Sequence, residues 1–224
     1  MEHLLDNPIF NALTTGNQQL SNGNTQIKYF SKEVAPFVGL KNNAVQEFIE
    51  LYKLLPHDGP FVFVSINETD IPSPWQVLAT IPGYQMIYKG DNLDFDARIV
   101  TQLTDEHIPQ MLELTSLTNP GPFAQRTIDF GHYAGIFEGD KLAAMAGQRI
   151  NPIPYAEISA VCTHPDCTGK GYARQLLAYH INRIKAEGNI PFLHVRADND
   201  RAIGVYKDLG FEIRSQVNFN VIKK

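Results

Sequence analysis

The segment 161–174 constrains the fold of this chain more than any other part of its sequence. It reads Val-Cys-Thr-His-Pro-Asp-Cys-Thr-Gly-Lys-Gly-Tyr-Ala-Arg, with a glycine on either side of a lysine. Alternating residues before the loop predict a strand over 155–163, and apolar residues at helical spacing after it predict a helix over 171–187. The strand must pair with other strands in a sheet, and the helix must bury its apolar side against a face of that sheet. The segment therefore predicts an α/β (α+β) fold.

The loop in this segment has the properties of a phosphate-binding site. Gly169 and Gly171 let the backbone approach a ligand closely, and Lys170 and Arg174 add positive charge. The first amides of a helix lack internal partners and lie at the positive end of its dipole. We therefore predict that the loop binds a pyrophosphate, although two glycines can also form a simple turn. The spacing fits neither a Walker loop nor a dinucleotide fingerprint.

The elements after residue 96 follow a regular order. Hydrophobic periodicity predicts the order β-α-β-β-β-α-β-α-β, which corresponds to a mixed central sheet with flanking helices. Strands are predicted over 97–103, 132–137, 141–150, 155–163, 192–196 and 211–221, and helices over 104–115, 171–187 and 198–209.

The first part of the chain is harder to interpret and carries no catalytic pattern. Turn-forming residues over 89–96 predict a soft boundary. We therefore predict a smaller N-terminal α/β region over 1–93 and a second domain over 94–224. In the first part, helices are predicted from Pro8 and over 43–55, and strands over 25–30, 61–66, 75–81 and 84–88.

Charge and cysteine content exclude several classes of protein. A net charge of −5 over 224 residues argues against a nucleic-acid-binding protein, which usually presents a basic face. Two cysteines exclude a disulfide framework and indicate a reducing compartment. The N-terminus lacks the pattern of a signal peptide, and no apolar run is long enough to cross a bilayer. We therefore expect a cytoplasmic protein without nucleic-acid or membrane partners.

Two segments resemble the signatures of the GNAT superfamily of acyl-CoA N-acyltransferases, in the order that the family shows. The family's pyrophosphate loop, Arg/Gln-x-x-Gly-x-Gly/Ala, corresponds to 168–173, where Thr168 replaces the usual first residue. The second signature corresponds to 199–211. There Asn199 opens a helix, Tyr206 follows two turns later, and Gly-Phe ends it.

The resemblance covers 97–221 and implies a GNAT fold. It also implies an enzyme that transfers an acetyl or acyl group directly from acetyl-CoA to a primary amine, without a metal. Segments 156–165 and 192–199 look most like the branch related to glycine N-acyltransferases, in which the first part would be a degenerate GNAT-like half. The implied cofactor-binding residues are Val161, Cys162, Thr163, Thr168, Gly169, Lys170, Gly171, Tyr172, Ala173, Arg174, Asn199 and Tyr206.

Two side chains are candidates for proton transfer. The resemblance assigns Tyr206 as the general acid that protonates the departing thiolate, and the alternative is a packing tyrosine. Glu157 is the candidate base. Strand alternation places it on the same face as Val161 and about 13 Å away, so we expect a water relay. The alternative for Glu157 is a salt-bridged glutamate, and the alternative for Asn199 is an ordinary helix cap.

Several other interpretations stay open at this point. Cys162, His164 and Cys167 lie close together, but a zinc site usually needs four ligands, and direct transfer needs no cysteine nucleophile. His194 is expected to be packed or hydrogen-bonded rather than a base. The alternative function is a non-catalytic acyl-CoA-binding or sensing module. The acceptor, which 119–123 and the first part would help to shape, is open, as is the oligomeric state, with a homodimer as one option.

Overall fold

The computed structural model describes residues 3–224, and its strands and helices have the following bounds. The strands are Asn22–Gly23 (β1), Ile27–Tyr29 (β2), Val38–Leu40 (β3), Phe61–Ser65 (β4), Gln76–Tyr88 (β5), Thr101–Gln102 (β6), Ala134–Glu138 (β7), Lys141–Gln148 (β8), Tyr155–Thr163 (β9), Ile190–Arg196 (β10) and Phe211–Lys223 (β11). The α-helices are Pro8–Thr14 (α1), Val45–Leu54 (α2), Ile108–Thr118 (α3), Tyr172–Ala186 (α4) and Asp200–Leu209 (α5). None of these helices is long and apolar enough to cross a membrane.

One large sheet contains most of these strands. Its eight strands have the order β4-β11-β5-β10-β9-β8-β7-β6, and β1, β2 and β3 form a separate small sheet. Within the large sheet β9 and β10 are parallel, and the other neighbouring strands are antiparallel. From β6 onward the elements follow the predicted order β-α-β-β-β-α-β-α-β, so that prediction is confirmed.

Strand β5 crosses the middle of the large sheet, between β10 and β11. The sequence predicts two strands here, because a Pro-Gly pair usually forms a turn. In the structure the strand is continuous through Pro82 and Gly83. A Cβ atom on Gly83 would lie 2.6 Å from the Phe219 ring and 2.8 Å from the Val195 carbonyl oxygen. The glycine therefore serves close packing between neighbouring strands, and the predicted break is wrong.

The N-terminal part of the chain is built into the same sheet as the rest. Strands β4 and β5 precede residue 93, whereas β10 and β11, to which they are hydrogen-bonded, follow it. The turn-rich connection after β5 is fixed to α4, because Leu93 N–H donates to Asn182 Oδ1 at 2.8 Å. The predicted boundary at residue 93 therefore lies between two segments that share one sheet.

Helices cover both faces of the large sheet. On one face, called here the α3 face, α1 and α3 enclose a core that includes Met111 and Met145. On the other, the α4 face, Leu177 of α4 packs over Ile158 of β9 and Leu193 of β10. Burial of an aliphatic side chain of this kind contributes about 1.5–3 kcal/mol. Two cores of this size hold the strands between them in a fixed order.

The start of the second part differs from its prediction. Of the predicted strand over 97–103, only Thr101–Gln102 pairs with β7, and Ala97–Ile99 forms a 3-10 turn. The turn forms because the Asp96 side chain accepts the Arg98 N–H at 3.0 Å and so caps it. The predicted helix from residue 104 begins with another 3-10 turn and continues as α3.

Candidate functional site

Strand β9 carries a bulge at the point where the candidate site begins. It pairs with β8 through Cys162 opposite Met145 and Ser159 opposite Gly147. Two residues of β9 therefore lie opposite one residue of β8, and the first of them, Ala160, has φ = 52°. A non-glycine residue with such a φ costs about 1–3 kcal/mol and persists only where the surrounding structure enforces it. Bulges of this kind often turn backbone groups toward a ligand site.

The bulge reverses which side chains of β9 point to which face. Before it, Ile158 packs on the α4 face and Glu157 lies on the opposite face. After it, Val161 packs on the α4 face and Cys162 joins the core of the α3 face. The prediction that Glu157 and Val161 share a face is therefore wrong, because strict alternation ends at Ala160.

The splayed ends of β9 and β10 open a cleft in the sheet. The two strands pair only where 155–157 faces 190–192, and they separate beyond these residues. The cleft has a volume of about 730 Å³. One edge of β9 has no strand partner there, so its backbone groups are open to an extended ligand. The cleft is lined by 118–122, 158–163 and 194–196, together with Phe37, Val62, Ile81, Arg149, Asn199, Ala202, Tyr206, Phe219 and Val221.

Helix α5 brings two of the predicted site residues to the wall of this cleft. Asn199 caps the helix, since its side-chain oxygen accepts the Ala202 N–H at 3.1 Å. Tyr206 lies two turns later, half-buried, with its ring 5.9 Å from that of Phe211. Its hydroxyl has no hydrogen-bond partner within residues 3–224. Burial raises the pKa of Tyr206 to about 12, so the phenol keeps its proton at neutral pH.

The glycine loop presents open amides at the start of α4. Gly169 and Gly171 both have φ = 81°, a conformation that L side chains rarely adopt. The first amide of the helix with a backbone partner is that of Gln175, which donates to the Gly171 carbonyl at 3.1 Å. Among the described residues, the amides of 169–174 donate no hydrogen bond. They form the unpartnered, positively polarised end of a helix of 15 residues.

The charges around the loop differ in part from the prediction. Lys170 Nζ lies 2.5 Å from Glu138 Oε1, and the Tyr172 hydroxyl donates to the same oxygen at 2.9 Å. Their hydrogen bonds lower the pKa of Glu138. Lys170 is therefore paired with a carboxylate, while Arg174 is exposed and forms no ion pair within residues 3–224. The Thr168 hydroxyl donates to the Pro165 carbonyl at 2.9 Å, so it shapes the loop locally.

Glu157 lies behind the cleft and not in it. Arg149 Nε and Nη2 donate to its two carboxylate oxygens at 3.0 and 2.7 Å, and Ile150 N–H donates at 3.2 Å. His194 Nδ1 is 2.7 Å from Oε1. Burial alone would raise the pKa of Glu157, but Arg149 and His194 outweigh it and lower the pKa to about 2. A fully buried, multiply bonded carboxylate of this kind is a poor proton acceptor, which argues against the predicted base role and water relay.

The pair of Glu157 and His194 is part of a row of polar side chains that crosses the sheet. Gln85 Nε2 lies 3.0 Å from His194 Nε2, so both ring nitrogens of the buried histidine are occupied. Gln85 Oε1 accepts from Arg214 Nη1 at 2.7 Å, and Arg214 also pairs with Asp6 near the N-terminus. His194 is therefore a hydrogen-bonded structural residue, as predicted, and has no free nitrogen for work as a base.

The two cysteines have separate environments. Cys162 is buried in the core of the α3 face, and burial raises the pKa of its thiol to about 11. Cys167 is buried beside Glu138, and its pKa is also raised. A thiol of this kind is not activated as a nucleophile. Across residues 3–224 there is no group of three or more His, Cys, Asp or Glu side chains placed to hold a metal ion.

The cleft also contains residues that sequence reasoning did not single out. Arg149 is the most prominent of these, and Phe37 and Val62 come from the N-terminal part. Arg149 directly follows β8 and lies across from Glu157 of β9, so a pair of opposite charge across the hairpin was the available signal. No local pattern indicates Phe37 or Val62, because they reach the cleft only through the order of strands in the sheet.

Similarity to a known sequence family covers the part of the chain that contains β9, β10 and α5. A family model described as FR47-like protein matches residues 133–219. The N-alpha-acetyltransferase RimI of Mycobacterium tuberculosis is 34% identical over 85 residues, which are 36% of this chain and 52% of that protein. The match thus spans about half the length of this curated relative.

Similarity to solved structures covers the whole chain. A GCN5-related N-acetyltransferase from Kribbella flavida has a TM-score of 0.59 and 13% identity, covering 96% of this chain and 95% of that one, which shows a common fold. A GNAT-family protein from Novosphingobium aromaticivorans has a TM-score of 0.92 and 31% identity, covering 100% of this chain and 99% of that one. The predicted fold class is thereby confirmed, and the chain belongs to the GNAT family of acetyltransferases.

Proposed function

We propose that this protein is an N-acetyltransferase that transfers an acetyl group directly from acetyl-CoA to a primary amine. The observation that carries the proposal is the opening between β9 and β10, with the bulge at Ala160 on one side and the unpartnered amides at the start of α4 beyond it. The relative from Mycobacterium tuberculosis, which is named as an N-alpha-acetyltransferase, supports an amine as the acceptor.

The residues around the cleft suggest how acetyl-CoA is held. The open amides of 169–174 suit a pyrophosphate, with Arg174 as the nearby free cation. The unpaired edge of β9, including Val161, Cys162 and Thr163, suits the extended pantetheine arm as an added strand. A backbone amide at the bulge would then polarise the thioester carbonyl, in the manner of an oxyanion hole.

Acyl transfer requires one proton to leave the amine and one to reach the sulfur. The amine nitrogen bonds to the carbonyl carbon as the carbon–sulfur bond breaks, and the thiolate takes a proton. The Tyr206 hydroxyl can supply that proton, because it is protonated, has no hydrogen-bond partner within residues 3–224 and belongs to a residue that lines the cleft. No carboxylate belongs to the cleft lining among the described residues. We therefore assign Glu157 to positioning Arg149 and His194, and expect the amine to lose its proton to solvent.

Two finer expectations rest on the sequence alone and remain part of the proposal. The segments 156–165 and 192–199 support a place in the branch related to glycine N-acyltransferases. The two unpaired cysteines suit a reducing, cytoplasmic environment.

Calorimetric titration with acetyl-CoA tests the cofactor assignment through two glycines that flank α4. Gly171→Val places a branched side chain at φ = 81° at the start of the helix, and Gly188→Val does so at φ = 77° just after its end. Both positions are open, so each variant mainly acquires a backbone penalty of about 1–2 kcal/mol. We expect Gly171→Val to weaken acetyl-CoA binding about tenfold or more. Gly188→Val should bind like the wild type, and an equal loss in both variants would contradict the assignment.

A further inference from the structure

The guanidinium group of Arg149 has one nitrogen that the protein does not use. Its Nε and Nη2 atoms are bound to Glu157, while Nη1 has no hydrogen-bond partner within residues 3–224. The Phe37 ring supports the group from one side, with Cζ 4.8 Å from the ring centroid. The exposed fraction of the Arg149 side chain is only 11%. Arg149 is therefore a fixed cation with its remaining N–H donors held in one direction.

These free donors lie at the loop that closes the cleft on the α3 face. Gly121 of this loop lies close to them, since a Cβ atom added to it would lie 4.0 Å from Nη1. Both Arg149 and the loop line the cleft. The α5 wall with Tyr206 belongs to the α4 face, where the start of α4 also lies. An acceptor that meets the thioester from the side opposite α4 would therefore contact Arg149.

Charge and polarity in the cleft favour one class of acceptor. Its lining contains Arg149 and Arg196 but neither aspartate nor glutamate within the described residues. A second positive charge on the acceptor would thus lack a partner, whereas an oxygen anion would form charge-assisted hydrogen bonds. Phe37, Val62 and Phe219 provide an apolar surface in the same cleft. Because the volume of about 730 Å³ also has to hold the thioester arm, the acceptor is small.

We infer that the acceptor is an α-amino acid with an apolar side chain, whose carboxylate is bound by Nη1 of Arg149. This inference rests on the proposed acetyl transfer to an amine. It gives Arg149 the task of orienting the acceptor, so that the amine faces the bulge at Ala160 while the side chain packs against Phe37 and its neighbours. Glu157 fixes the orientation of Arg149 for this task. This role explains why a buried carboxylate lies beside the cleft without lining it.

Three acceptors with the same branched side chain test the inference on the unmodified protein. Leucine carries the carboxylate, leucinamide replaces it with a neutral amide, and 3-methylbutylamine lacks it. We expect kcat/KM for CoA release, expressed per unprotonated amine, to be about 10- to 100-fold higher for leucine than for either analogue. Equal values for the three acceptors would overturn the inference. A peptide with N-terminal leucine that reacts as well as leucine would overturn it in favour of a peptide acceptor.

Two arginine variants assign the preference to a residue. Arg149→Lys keeps a positive charge beside Glu157 but has no Nη1, and Arg196→Lys changes the second, exposed arginine of the cleft. The preference for leucine should vanish in Arg149→Lys and persist in Arg196→Lys. Calorimetric binding of leucine and 3-methylbutylamine to the CoA-loaded wild type gives a readout that needs no turnover. A leucine preference in binding without any CoA release would sustain the carboxylate site at Arg149 and refute the proposed transfer.

Discussion

Tyr206 lines the cleft, its hydroxyl has no hydrogen-bond partner among the described residues, and burial raises the pKa of that hydroxyl to about 12. A group of this kind can donate a proton to a leaving thiolate but contributes little to cofactor binding. We expect Tyr206→Phe to lower kcat by about 100-fold or more while the Kd for acetyl-CoA stays within about twofold. Steady-state kinetics and calorimetry on the same preparation measure both quantities.

Tyr84→Phe is the matched control for this prediction. Tyr84 packs against the same apolar core as Tyr206 but does not line the cleft. Its variant should keep the wild-type kcat. If Tyr206→Phe also retains the wild-type rate, the tyrosine is only a packing residue and the proton reaches the sulfur by another route.

For one residue, the role predicted from the sequence differs from the role that its contacts in the structure allow. Glu157 is predicted as a base of the site, yet it lies behind the cleft, where we assign it a positioning role. The reason is local: Arg149, which directly follows β8, binds both carboxylate oxygens, and the Ile150 amide adds a third donor. Sequence spacing along one strand contains no information about which side chain lies across the hairpin.

At the scale of elements, the bounds of β9 and the loop and helix that follow it were predictable, and the bulge within β9 was not. Gly169, Gly171 and the helical periodicity after them are local signals, and the structure shows the expected open amides at the start of α4. The bulge in β9 depends instead on the register with β8, where two residues face Ala146. No sequence feature marks Ala160 as a residue with a positive φ. Strict alternation therefore predicts the wrong sheet face for the side chains that follow it.

Helix α4 contains a buried histidine that should make the packing of this helix sensitive to pH. His180 is fully buried, and neither ring nitrogen has a hydrogen-bond partner among residues 3–224. Burial lowers the pKa of His180 to about 3, against about 6.5 in the unfolded chain. Between these values the unfolded state binds more protons, so the free energy of unfolding falls as the pH falls from 6.5 toward 3. The slope for one such group is at most about 1.4 kcal/mol per pH unit.

Thermal unfolding at several pH values measures this effect. We expect the loss of stability between pH 7 and pH 5 to be smaller in His180→Leu than in the wild type by about 2 kcal/mol, or several degrees in Tm. A His180→Leu curve parallel to that of the wild type would show that the imidazole is hydrated or partnered in solution. Glu157 adds a loss in the same direction only below about pH 4.5, because its pKa is lowered to about 2.

At the scale of the whole molecule, the N-terminal part completes both the sheet and the cleft. Strand β5 lies between β10 and β11, and Phe37, Val62 and Ile81 line the cleft together with residues of β9 and α5. The polar row from Glu157 through His194, Gln85 and Arg214 ties these strands together across the sheet. The first part of the chain therefore lines the candidate site, and we propose that it helps to shape the acceptor side.

This arrangement was beyond the reach of sequence patterns for a physical reason. Gln85 of β5 faces His194 of β10 and Ser215 of β11, more than one hundred residues away along the chain. Such pairing is decided by the packing of whole strands, while periodicity reports only which face of a single element is buried. The boundary predicted at residue 93 reflects turn-forming residues, which mark the end of a strand as readily as the end of a domain.

The most direct test of the account is the release of CoA from acetyl-CoA by the wild-type protein as a function of amine concentration. Acetyl transfer predicts that release depends on the amine, saturates as the amine concentration rises, and yields one acetylated amine for each CoA. Acetyl-CoA that binds tightly, with release that no amine increases, would contradict the account and leave a protein that only binds the thioester.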